Sequence, residues 1–155
     1  MKLIFESPFT IPSISQALSI LMDGSKICID DIQYNKVDGI VVLLMQRKEL
    51  TGFRKSFLGA VQPVYSQTMI DCVLTIKEVA EMDIKLDNRL VSECNSCFTV
   101  LFGLNIDDNN LYLGSVEESQ GNTLCQVFIK VKHLNIEYVD KEKNVLKLLA
   151  VEAHN

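Results

Sequence analysis

A chain of 155 residues that is 48% apolar, with only 3 Pro and 7 Gly, is long enough for one self-sufficient core and is neither disordered nor low-complexity. Lys and Arg number 15 against 20 Asp and Glu, and the net charge of −5 argues against generic affinity for nucleic acid or an anionic membrane. The longest purely apolar run, Ile40 to Met45, falls far short of the ~20 residues of a membrane-spanning helix, and Glu6 interrupts Leu3, Ile4 and Phe5 before a signal-peptide core can form. The expectation is a single soluble, cytoplasmic domain over 1–155.

Lys2 to Glu6 reads as a first strand. Pro12, Ser13 and Gln16 open a short helix over Ser13 to Met22, because Pro suits a first helical turn and Ser with Gln three later resembles a capping box. Ile14, Ala17, Leu18 and Leu21 share its apolar face, and Asp23-Gly24 ends it. Ile27 and Ile29 alternate with Lys26 and Asp30, so Lys26 to Tyr34 is a strand, followed by a turn at Lys36 to Gly39. Ile40 to Gln46 is nearly all apolar and rich in β-branched residues, which predicts a central strand buried on both faces.

Glu49 to Gln67 breaks the strand pattern. Phe53, Phe57 and Val61 recur at helical spacing, yet Gly52, Gly59 and Pro63 oppose a stable helix. The segment is expected to be a short helix or a long ordered connection.

The strongest pattern follows. Ile70, Cys72, Leu74, Ile76, Ala80, Met82, Ile84 and Leu86 occupy alternate positions with mostly polar residues between them, the period of two of a half-buried antiparallel strand. Seventeen residues are too many for one typical strand of about 3–10. Glu78 interrupts the apolar series, so a bend or bulge is placed at Glu78 to Ala80, between two collinear strands. Asp87 to Ser96 is a polar loop.

Phe98 to Ile106 and Leu111 to Val116 are strands joined by a turn at Asp107 to Asn110, residue types that tolerate the left-handed conformation. Thr123 to Val131 is another strand after a turn at Ser119 to Asn122. The apolar parity then flips at His133-Leu134, which predicts a bulge there. Val145 to Glu152 reads as a closing strand after a charged turn at Asp140 to Asn144. Seven to nine strands at this spacing imply a mainly β fold: an antiparallel β-sandwich or partly closed barrel with one short N-terminal helix, α+β being the other possibility.

Five Cys cannot pair completely within one chain, and a core of this size needs no staples. Reduced thiols and no intramolecular disulfide are expected. Cys94 and Cys97 form a CxxC pair, which can hold zinc or cycle through a disulfide. A second such pair is absent, and Cys72, Cys125 and His133 lie in separate strands, so Cys94 and Cys97 are weak metal candidates and no metal or cofactor is expected. There is no GxG, no GxxxxGK[ST], no HExxH and no GxSxG, which excludes the dinucleotide fingerprint, the phosphate loop and the familiar metalloprotease and hydrolase motifs.

Charge is uneven. Between Gln46 and Ser66, Arg47, Lys48, Arg54 and Lys55 stand against Glu49 alone, a local +3 that leaves −8 for the remainder. These cations lie among Phe53, Phe57 and Tyr65. Arg47, Lys48, Phe53, Arg54 and Lys55 are therefore the candidate contact residues for an acidic protein partner. The functional expectation is a non-enzymatic binding or assembly module acting through another protein or through self-association as a homo-oligomer, with nucleic acid unlikely and no membrane contact. The competing expectation is a small ligand-binding barrel or enzyme with a site built from Cys72, Cys125, His133 and Glu78.

Overall fold

A computed structural model describes residues 2–5, 14–86, 97–116, 123–140 and 145–149. Their elements in chain order are β1 (Lys2–Phe5), α1 (Ile14–Met22), β2 (Lys26–Asn35), β3 (Ile40–Lys55), β4 (Val61–Ile76), β5 (Val79–Leu86), β6 (Cys97–Thr99), β7 (Leu101–Asp107), β8 (Asn110–Val116), β9 (Thr123–Val131), β10 (Asn135–Asp140) and β11 (Val145–Leu149). One sheet has seven strands in the order β1-β11-β10-β4-β3-β2-β6, and the other has four in the order β5-β9-β8-β7. Every pairing is antiparallel. Neither sheet closes on itself, so the fold is an open antiparallel sandwich. The expected loop at 87–96, the expected turn at 119–122, all of the expected turn at 140–144 but Asp140, Ser13 and Cys94 lie outside the described residues.

The core sits between the two sheets. Val41, Leu43, Met45, Cys72, Leu74 and Ile76 face it from the larger sheet, and Leu111, Leu113, Cys125, Val127, Ile129 and Val131 from the smaller. Burying a Leu or Ile stabilises by roughly 1.5–3 kcal/mol each. Helix α1 fastens the layers together. Leu18, Leu21 and Met22 are buried, and the Ser19 hydroxyl donates to Leu104 O of β7 at 3.0 Å. The helix ends as its sequence implies, with Asp23 N–H bonded to Ser19 O at 3.0 Å and Gly24 at φ +73°.

The long alternating stretch breaks where Glu78 interrupts it, but its halves are not collinear. β4 belongs to the larger sheet and β5 to the smaller. Glu78 takes φ +56°, turning the chain across the sandwich. The register then jumps from Val79↔Val131 to Glu81↔Lys130, so Ala80 is bulged and the even positions face inward again at Met82 and Ile84. The expected bulge at His133-Leu134 is a second crossing of the same kind, carrying the chain from β9 back to β10. The crossings run side by side: Lys77 N–H donates to Asn135 O and Lys132 N–H to Glu78 O, both at 2.9 Å. The β2–β3 turn packs on them. Gly39 O accepts from Val79 N–H at 2.8 Å, and at φ +63° a Cβ on Gly39 would stand 3.0 Å from Val79 O. Both the close approach and the left-handed backbone favour glycine there.

Two further expectations change. β3 is buried on one face only; Val41, Leu43 and Met45 point into the core while Leu44 is exposed, because the smaller sheet covers just one side of the larger. Cys28 and Cys97 form a disulfide, against the expectation of reduced thiols. They face each other in the β2–β6 register, which an odd cysteine count cannot reveal. Among the described residues, no helix is long and apolar enough to cross a membrane.

Candidate functional site

Glu49 to Gln67 is neither the short helix nor the long ordered connection expected from its sequence. It is the far half of a hairpin whose strands run 16 residues each. β2 accompanies β3 only to the Lys26↔Gln46 pair, and β10 accompanies β4 only to Asp140↔Cys72. Beyond those pairs β3 and β4 have only each other as strand neighbours among the described residues, up to Lys55↔Val61. The nine residues from Arg47 to Lys55 extend this two-stranded ribbon by roughly 30 Å. Pro63 is tolerated because a two-stranded ribbon has no further strand for it to bond.

The root of the ribbon is pinned twice. Arg47, expected on the surface, is 1% exposed. Its Nε donates to Tyr138 Oη at 2.5 Å, its Nη2 to Asp140 Oδ2 at 2.7 Å and its Nη1 to Lys48 O at 3.0 Å. Tyr138 Oη donates in turn to Asp140 Oδ2 at 3.0 Å. Burial disfavours the Arg47 cation, but the Asp140 hydrogen bond and the attraction of Tyr138 and Asp140 outweigh it and hold the guanidinium above its ordinary pKa. Burial likewise pushes the Tyr138 hydroxyl up, so it remains a donor. Further out, Tyr65 Oη donates to Ile20 O of α1 at 2.6 Å. Burial, with the charge of Asp23, raises that hydroxyl to about 12.

Past the Leu50↔Tyr65 pair the ribbon runs on to the Lys55↔Val61 pair and ends in a tight turn. Ser56 N–H donates to Ala60 O at 2.7 Å, Gly59 N–H to Ser56 O at 2.9 Å, and Gly59 lies at φ +82°. This is a three-residue hairpin loop with glycine in the left-handed position. The corner positions usually hold Asp, Asn, Pro or Gly. Here they hold Phe57 and Leu58, at 105% and 91% exposure. Phe53 is also exposed at 39%, as are Arg54 and Lys55 just behind the turn. No Asp or Glu occurs from residue 50 through residue 70. Glu49 is held by a hydrogen bond from the Ser66 hydroxyl at 2.8 Å.

Of the five candidate contact residues, Phe53, Arg54 and Lys55 lie near the tip. Lys48 is half-buried with its stem along the Gly24 turn, and Arg47 is withdrawn into the core. Phe57 and Leu58 stand beside Phe53, Arg54 and Lys55 at the tip, because Ser56 to Ala60 spells a glycine-closed hairpin loop and not the helix that the spacing of Phe53, Phe57 and Val61 suggests.

The competing set does not converge. Glu78 and His133 are exposed at the sheet crossings, whereas Cys72 and Cys125 are buried in different sheets. Each cysteine is six residues from its crossing, Cys72 from Glu78 and Cys125 from Val131, or about 20 Å of strand. Burial pushes the Cys72 thiol up to about 12 and the Cys125 thiol to about 11, which leaves both protonated at neutral pH.

No family model, curated protein or solved structure matches this chain.

Proposed function

We propose that this chain is a non-enzymatic binding module that grips a protein partner with the tip of the β3–β4 ribbon. The observation that carries the reading is the pair Phe57 and Leu58, exposed at turn corners where no described residue covers them. Such residues gain their burial energy in a complex. Arg54 and Lys55 add a positive collar on an otherwise acidic protein, which suits an apolar cleft with an acidic rim. The ribbon's pinned root holds the tip in place before contact, which lowers the ordering cost of binding. The disulfide supports a non-reducing compartment as the working environment, rather than the cytoplasm expected from cysteine number.

The test is a pull-down with wild type and with a variant carrying Arg54→Ala, Lys55→Ala, Phe57→Ser and Leu58→Ser. The variant should fold normally and lose the partner, or lose self-association if size-exclusion chromatography shows a second copy to be the partner. Retention of every wild-type interaction by a folded variant would refute the reading.

A further inference from the structure

The smaller sheet carries a second surface, built from residues that the ribbon does not include. Along the outer face of the smaller sheet lies a depression of about 420 Å³, lined by Glu81, Asp83 and Lys85 of β5, Gln126 and Phe128 of β9, and Tyr112 of β8. Strand register sets these side chains in rows. Asp83, Phe128 and Tyr112 form one row across three strands, and Lys85, Gln126 and Gly114 form the next. The Tyr112 and Phe128 rings have centroids 5.2 Å apart and are tilted by 52°, giving a half-buried apolar platform. Gly114 has no side chain beside that platform, so the second row is lower at this end.

The residue types identify the ligand. A platform of aromatic rings presents a negatively polarised face that attracts the C–H bonds of an apolar surface. Carboxylates at Glu81 and Asp83 accept hydrogen bonds, the Lys85 ammonium donates them, and the Gln126 amide does both. Glu81 stands opposite Lys130 in register, and Asp83 and Lys85 share the same face of β5, so the surface carries both signs in balance. Two carboxylates disfavour a phosphate, and Lys85 in the depression with Lys130 opposite Glu81 offsets the negative charge that a cation would seek. A neutral pyranose meets every condition: one face of C–H groups for the rings, with hydroxyls radiating from its edge to donors and acceptors. The volume lies within the range of about 300–1,000 Å³ usual for small-ligand sites. The disulfide independently suits an environment in which free glycans occur.

We infer that the outer face of the smaller sheet binds a neutral oligosaccharide, with one sugar ring stacked on Tyr112 and Phe128 and its hydroxyls held by Asp83, Lys85 and Gln126.

The experiment uses the full chain with its disulfide intact. It is applied to an array of neutral hexopyranose oligosaccharides alongside sialylated and sulfated glycans, and positive glycans are then titrated calorimetrically. A neutral oligosaccharide should bind, with Phe128→Ala about three- to tenfold weaker through loss of the ring. Phe128→Ala could perturb the sheet, so Gly114→Val is the second variant. A Cβ there meets nothing closer than Cys125 O at 3.9 Å, so the position accepts a side chain, and one there raises the floor of the groove. It should weaken binding at least as much. The ribbon variant lacking Phe57 and Leu58 should bind the sugar like wild type, which separates this surface from the protein-binding reading. Absence of any neutral-glycan binding up to about 1 mM, preference for the charged glycans, or unchanged affinity in both groove variants would overturn the inference.

Discussion

Arg47 Nη2 lies 2.7 Å from Asp140 Oδ2, and both side chains are sealed from water at 1% and 0% exposure. The pair joins β3 to β10 across β4, at the level where the ribbon leaves the sheet. An unpaired charge cannot be tolerated there. Arg47→Ala or Asp140→Ala should each destabilise the protein by about 3–5 kcal/mol, because each strands the other partner in the core. Replacing the pair together, Arg47→Met with Asp140→Leu, should cost clearly less than the sum of the single changes. Urea denaturation of the three variants checks this, and additive losses would show that the two groups are not coupled. The same result bears on function. Arg47 belongs to the anchor of the ribbon, not to the tip surface proposed to meet a partner.

The alternation through β4 predicts opposite fates for two residues only three positions apart. Leu74 is fully buried, whereas Lys77 is exposed at the crossing between sheets. Leu74→Ala should cost about 2–5 kcal/mol, and Lys77→Ala should stay within about 0.5 kcal/mol of wild type. Comparable losses in thermal or urea melts would mean that the register of β4 is wrong.

The disulfide closes a span of 69 residues between β2 and β6. Removing it with Cys28→Ser and Cys97→Ser, or with reductant, should cost about 2–5 kcal/mol, mainly by freeing the unfolded chain. Non-reducing peptide mapping should recover the Cys28–Cys97 cross-link, and a lower melting temperature should accompany its reduction. A map showing both thiols free in the native protein would contradict the disulfide.

Stability should fall in alkali. The thiols of Cys72 and Cys125 ordinarily titrate at 9.0 but are pushed by burial to about 12 and about 11 in the folded protein. Burial moves the Tyr65 hydroxyl from 10.0 to about 12. Above pH 9 the unfolded chain releases protons that the folded chain retains, so the unfolded state is increasingly favoured up to about pH 12. Below pH 9 these groups make no contribution to the slope. Urea midpoints measured at pH 8, 9.5 and 10.5 should therefore decline, with a shallower decline in Cys72→Ala, while non-reducing gels confirm that the disulfide is unchanged. A flat profile would show that these groups are open to solvent.

Much of this fold is legible in local pattern, because successive side chains on an extended backbone must point to opposite faces. The alternation from Ile70 to Leu86, the break at Glu78, the turns at Lys36 to Gly39 and Asp107 to Asn110, the helix ending at Met22 and the closing strand from Val145 can all be read without coordinates. So can the concentration of positive charge that marks the ribbon. Tertiary structure decided the rest, because it depends on which strands become neighbours. Nothing near Arg47 in the chain announces Tyr138 and Asp140, 91 and 93 positions away, which turn an apparent surface cation into a buried one. Cys28 and Cys97 become partners only through strand register. Glu78 looks the same in sequence whether it bends one strand or passes the chain to another sheet; the Lys132 N–H bond to its carbonyl belongs to the second arrangement. Phe57 and Leu58 resemble core residues by type. They stand in water because the strands beside β3 and β4 stop short while that hairpin continues.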